Sequence, residues 1–175
     1  DLAKQGLDYV SKSVRSFVND ASDLNETVSK TQVLFGETSK RVTEWAKTTD
    51  LALGQTEQQA LDAASTFATF GKSAGLSGNR LDDFAIGFTK LASDMASFSN
   101  TSPQDAIDAI GAALRGESEP IRKYGVLLDD ATLRQKALEL GIVSTTKHAL
   151  TPQQKVLAAQ KAIYEQTTAA QGDFA

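Results

Sequence analysis

An all-α fold follows from three features of this sequence. Apolar residues recur at steps of three and four over long stretches, glycine and proline fall between those stretches, and the alternation of a half-buried strand is nearly absent. The expected architecture is six or seven helices separated by Gly/Pro stops, as a helical bundle or a partly extended coiled-coil assembly. Composition agrees: 41% of the 175 residues are hydrophobic but only 7% are aromatic, which suits helices packed through small side chains.

The first stripe is the most regular. Ala3, Leu7, Val10, Val14, Phe17, Ala21, Leu24 and Val28 step by alternating fours and threes, the seam of a left-handed helix pairing. The pattern continues through Thr31 to Phe35, and Gly36 is placed to end it. Ser11, Ser13, Asp20, Asn25 and Thr27 flank the seam and supply little complementary charge, so a bundle helix and a coiled coil both remain open. This divides the chain into residues 1–36, a long amphipathic or coiled-coil helix, and residues 37–175, a helical module. The start at Asp1 and the end within a polar, helix-favouring stretch suggest a fragment of a longer chain.

A second helix is expected over Ser39 to Leu53, with Val42, Trp45, Ala46 and Thr49 on one face and Gly54 as its C-cap. Thr56 and Gln59 form a capping box for a third, whose inner face is Ala60, Ala63, Ala64, Phe67, Phe70 and Ala74. The fourth carries Leu81, Phe84, Phe88, Leu91, Met95 and Phe98 in one stripe, with Asp82, Asp83, Lys90 and Asp94 on other faces. Ser102 and Pro103 open a fifth with Ile107, Ile110, Ala113 and Leu114 inside, stopped at Gly116. A helical turn follows Pro120 and ends at Gly125. Asp129 caps a sixth helix with Leu133, Ala137 and Leu138, stopped at Gly141. Residues 142–149 read as a loop or a brief extended piece, and Thr151, Pro152 and Gln154 open the last helix. Gly71, Gly87 and Gly111 fall inside helices, each at a cost of about 1 kcal/mol against alanine, which points to close packing or a bend.

Little in the sequence is organised for chemistry. No cysteine is present, so disulfides, thiolate catalysis and cysteine metal sites are excluded from this segment. His148 is the one histidine and has no imidazole or thiolate to share a metal with, nor the partners of a catalytic triad. Gly71-Lys72-Ser73 lacks the upstream glycine of a phosphate-binding loop, that position being Thr66. The pairs Asp82/Asp83 and Asp129/Asp130 diverge by about 100° on a helix and serve capping and solvation. A net charge of −4 offers no basic stripe for nucleic acid. No apolar run reaches membrane-spanning length, and no apolar stretch follows a basic start. No cofactor and no enzymatic activity are expected. The candidate functional residues are therefore contacts, between helices or between copies of the chain: Leu7, Val10, Val14, Phe17, Ala21, Leu24, Val28, Leu81, Phe84, Phe88, Leu91 and Met95.

One resemblance sharpens this. Ile110-Gly111-Ala112-Ala113-Leu114-Arg115-Gly116-Glu117, then Pro120-Ile121-Arg122-Lys123-Tyr124-Gly125-Val126, Leu138 to Ile142, Leu150-Thr151-Pro152-Gln153-Gln154-Lys155 and Gln171-Gly172-Asp173-Phe174-Ala175 follow one another in order. Together with Phe35-Gly36 and the Ala/Phe-rich stretch from Ala60 to Gly75, this resembles a recurring helical region of tape measure proteins from long-tailed phages and prophages. The resemblance implies a structural virion component that helps set tail length and leaves ahead of the DNA during infection. It implies a place in the tail, at the tube lumen or tip, and in the host cytoplasm during assembly. Its implied partners are other copies of itself, tail tube and tail-tip proteins, tail assembly chaperones, and the host envelope on ejection. A phage-tail-like particle or gene transfer agent could use the same module. Two alternatives stand beside it: a cell-wall hydrolase module, for which Glu117 followed by Ser118 is the candidate acid, and an envelope-active helical pore segment.

Overall fold

The computed structural model describes residues 22–174, and among them every regular element is helical. Helix α1 covers residues 22–35 and runs into a 3-10 turn at Gly36–Thr38. Two short helices follow, α2 (Ser39–Ala46) and α3 (Thr49–Leu53). Helices α4 (Glu57–Ser73), α5 (Gly78–Ser99) and α6 (Pro103–Leu114) form the body of the bundle. A 3-10 turn at Pro120–Tyr124 leads to α7 (Asp130–Glu139) and α8 (Pro152–Gln166), which pack on one another. The all-α expectation holds, in its bundle form.

The helix boundaries are written locally. Thr56, Ser102, Asp129 and Thr151 each accept the backbone N–H three residues on, satisfying one orphan donor of the helix they precede. Thr151 and Gln154 make the full reciprocal capping box. Thr56 and Gln59 make only half of it, because the Gln59 amide turns away to Gln104 across the α4–α6 gap. At the other ends, α4 and α6 stop in Schellman motifs. Leu76 N–H reaches Gly71 O at 2.9 Å, Glu117 N–H reaches Ala112 O at 2.9 Å, and Gly75 and Gly116 take the left-handed conformation between. Asn100 and Gly141 close α5 and α7 in the same way.

Helix α5 is the centre. Leu81, Phe84, Phe88, Leu91 and Met95 are all buried, as their spacing predicts. Phe88 stacks with Phe67 of α4, Phe84 of its own helix and Tyr164 of α8, with centroids 5.5, 5.0 and 5.4 Å away. Gly71 lets this layer close, since a Cβ there would sit 2.8 Å from Leu81 Cδ1. Gly87 similarly admits the Tyr164 hydroxyl, 2.7 Å from where a Cβ would stand.

Three further expectations need correction. Phe98, the last member of the α5 stripe, is 56% exposed. A strict heptad drifts by about 20° per repeat on a straight helix, which carries the last rung off the buried side. Asp82 lies on no solvent face: it is fully buried, because α5 is covered on two sides. The second helix is two, broken at Lys47–Thr48, where the Thr48 and Thr49 hydroxyls bond back to Trp45 O and Ala46 O at 2.7 Å each.

Phe88→Ala is expected to lower the unfolding free energy by about 3–5 kcal/mol, the cost of a large core truncation. Phe98→Ala, on the same sequence stripe, should change it by less than about 0.5 kcal/mol. Chemical denaturation of the two variants measures both, and equal losses would contradict the two-sided burial of α5.

Candidate helix interface

The predicted contact residues fall into two groups. Those of α5 line the core, so they make helix–helix contact within one chain. Of the first seam, Leu24 and Val28 are half-buried and rest on the same core. Ala3, Leu7, Val10, Val14, Phe17 and Ala21 lie outside the described residues.

Helix α1 meets α4 through hydroxyls. The Thr27 hydroxyl donates to Asp62 Oδ1 at 3.2 Å. Thr31 lies 3.4 Å from Ser65, and its own proton goes to Thr27 O at 2.9 Å, so Ser65 is the donor. Both threonines are buried, and Phe35 anchors the end of the helix in the core. The paired positions rise together, 27 with 62 and 31 with 65, so the two helices run parallel. Beside this contact lies an open groove of about 620 Å³, lined by Val33, Leu34, Ser65, Thr66 and Thr69, with Val33 80% exposed.

The second buried side of α5 is polar, and the stripe count missed it. Asp82 Oδ1 accepts the Thr38 hydroxyl at 2.7 Å, and Arg41 reaches Asp82 Oδ2 at 3.5 Å and Asp83 Oδ1 at 2.9 Å. The Thr38 hydroxyl also lies 3.0 Å from Phe35 O, but the shorter contact with a charged acceptor takes its single proton. Two turns on, the fully buried Gln55 amide donates to Ser93 Oγ at 2.6 Å and Thr89 O at 3.2 Å, while Ser93 donates to Leu53 O. At the far end, Asp94 accepts the N–H groups of Gly172 and Phe174, and Ser97 donates to Asp173. The Phe174 ring lies over Gly54, whose φ of +64° and missing Cβ both permit the approach. Only the polar residues at positions 82, 89 and 93 of one helix signalled this face, each unremarkable alone.

On the outside, Lys136, Glu139, Lys161 and Glu165 close a ring across α7 and α8, with Lys136–Glu165 at 2.6 Å and Lys161–Glu165 at 2.8 Å. Lys136 holds the Glu165 carboxyl below the usual glutamate range, with Lys161 adding to it. Glu165, then Glu139, raises the Lys136 ammonium. Burial pushes the Tyr164 phenol up to about 12.

The residues weighed for catalysis have local duties. Glu117 is exposed, 3.6 Å from Arg115, and its backbone closes the α6 stop. His148 is exposed in the loop before α8. Lys72 and Ser73 end α4, with the Ser73 hydroxyl on Phe70 O. Among the described residues no group of three His, Cys, Asp or Glu is placed to hold a metal ion, and no helix is long and apolar enough to cross a membrane. What the arrangement does chemically is fasten helices. No family model, curated protein or solved structure matches the chain.

Asp82→Ala should cost about 1–3 kcal/mol, because the Thr38 hydroxyl exchanges a charged acceptor for the neutral Phe35 carbonyl and Arg41 loses one of its two carboxylates. Asp82→Asn should recover part of that, since its amide oxygen still accepts; equal losses in thermal unfolding would remove the Thr38 bond from the account. For the outer ring, the folded pKa of Glu165 is depressed. Its contribution is therefore present above the ordinary glutamate value of 4.5 and lost as pH falls below it. Glu165→Gln should lower the melting temperature at neutral pH, less so with added salt, and leave it unchanged well below that value.

Proposed function

We propose that this chain is a helical module of a phage tail tape measure protein, a structural virion component acting through helix contact. The observation that carries the reading is where the resembling residues fall. The stretch from Ile110 to Val126 is the corner between α6 and α7. Gly116 ends α6, Pro120 opens the 3-10 turn, and Gly125 ends that turn, at φ values of +95° and +81° for the two glycines. Ile121 and Val126 are fully buried and pin the corner to the core. Arg122 and Lys123 are exposed on the same turn. Gly116, Pro120, Ile121, Gly125 and Val126 of the ordered motif are thus residues that the helical corner uses, which supports the reading of a shared helical module.

The bundle refines how such a module would work. An extended helix advances about 1.5 Å per residue, and a ruler depends on that proportion. A chain that folds back through α4, α5 and α6 loses it. In the proposal this module is a compact node of the tail, and regular helix elsewhere in the protein does the measuring. Its partners there are tail tube or tail-tip proteins, assembly chaperones and other copies of the chain.

Tails purified from the strain that encodes the chain test the proposal. Mass spectrometry is expected to find its peptides in the particles, and their absence overturns the reading. An in-frame deletion of residues 37–174 in the whole protein should shorten any tails that form by far less than about 1.5 Å per residue removed. Shortening in full proportion would overturn the compact node.

A further inference from the structure

Residues 129–149, which hold α7 and the loop after it, are pinned at both ends and lightly held between them. Before this lobe, Val126 and Leu128 are buried. The Gln166 side chain of α8 pairs with both polar groups of the Leu127 backbone, accepting its N–H at 2.8 Å and donating to its C=O at 2.9 Å. After the lobe, Leu150 is buried, and Thr151 with Gln154 fixes the start of α8 in the capping box. Between these two pins only Leu133 and Ala137 are buried. Among the described helices, α7 packs to a substantial extent on α8 alone. We propose that the lobe is a lid on α8, latched by the charges of Lys136, Glu139, Lys161 and Glu165, which opens as a unit while the other helices stay folded. The proposal does not depend on the tail assignment.

Three observations point this way. The joint buries little apolar surface. Lys161 and Glu165 face α7, and the buried Ala158 and Ala162 lie one turn from them on the same side of α8. Opening therefore uncovers one leucine and a few alanine methyls, whereas parting α4 from α5 would uncover Phe67, Phe84 and Phe88. The lobe is also tied to itself. Arg134 lies 2.7 Å from the Asp130 carboxylate and donates to Thr146 O at 3.2 Å, and the Ile142 N–H returns to Ala137 O at 3.1 Å. Those contacts can move with the lobe. Finally, the loop is not pressed onto α8. An open cavity of about 420 Å³ lies between them, lined by Ile142, Val143, Thr145, His148, Thr151 and Gln154.

With so little apolar contact, the charges decide how long the lid stays shut. Lys136 crosses the joint to Glu165 at 2.6 Å, and Lys161 crosses it to Glu139 at 3.9 Å. Within α8, Lys161 steadies Glu165 at 2.8 Å, and within α7, Lys136 steadies Glu139 at 3.2 Å. All four side chains keep some exposure, so dissolved salt screens them and the latch weakens as ionic strength rises. A helix of ten residues is marginal alone, so α7 melts on leaving α8 and its amides meet water.

Native-state hydrogen exchange on the 175-residue chain tests the lid and its latch separately. The amides of α7 should exchange at least about tenfold faster than those of α5 and α8. Glu165→Gln should raise the α7 rates by about threefold. Raising salt to about 1 M should speed α7 in the parent chain and have less effect in the variant. Protected α5 amides in both proteins confirm that the variant has folded. Equal protection of α7 and α5 overturns the lid. So does exchange of α8 at the rate of α7, because the two helices would then leave the bundle together. Rates in α7 that respond neither to Glu165→Gln nor to salt overturn the latch.

Discussion

The structure depends on the burial of α5 on two sides with two different chemistries. One side is the aromatic and aliphatic layer of Phe84, Phe88, Leu91 and Met95, which holds α4 and α8 by contact area. The other is the row Asp82, Thr89 and Ser93, which holds the connecting segments by hydrogen bonds to Thr38, Gln55 and Leu53. Short helices such as α2 and α3 are marginal alone. They persist because Thr38, Leu53 and Gln55 at their ends are fastened to the buried α5.

The division of labour has an energetic reason. Segment 36–55 is a 3-10 turn and two short helices with the turns that join them, and 171–174 is turn and loop; their ends carry backbone polar groups that an apolar surface would leave unpaired. A helix offering only leucines would be a poor floor for them. The carboxylates, hydroxyls and carbonyls of α5 receive those groups while the aliphatic layer supplies the area. At the C-terminal end the same logic has Asp94 collecting two backbone N–H groups as Phe174 settles over Gly54.

The N-terminal helix is held differently. It meets α4 through a pair of hydroxyl bonds beside a partly open groove, Leu24, Val28 and Leu34 rest half-buried on the core, and Phe35 is buried in it. Val33, 80% exposed, marks where that contact stays open to water. The α7–α8 pair lies at the opposite extreme, tied by a closed ring of four charges outside and by Leu133, Ala137, Val156 and Ile163 inside.

Sequence alone determined whatever is local. Helix starts at Thr56, Ser102, Asp129 and Thr151, and stops at Gly36, Gly54, Gly116, Gly125 and Gly141, were legible because a cap or a left-handed residue acts within one turn of chain. So was the apolar layer of α5, since a period of 3.6 residues is a property of the helix itself. Tertiary structure decided the rest. Asp82 reads as a solvent residue until Thr38 and Arg41, more than forty positions earlier, are folded against it. Phe98 belongs to the stripe until the drift of a straight helix carries it off its neighbours. Leu24 and Val28 show that a helix wants a partner, and only the fold reveals that α4 is already there. Periodicity records which side of a helix avoids water; what covers that side depends on residues far away in the chain.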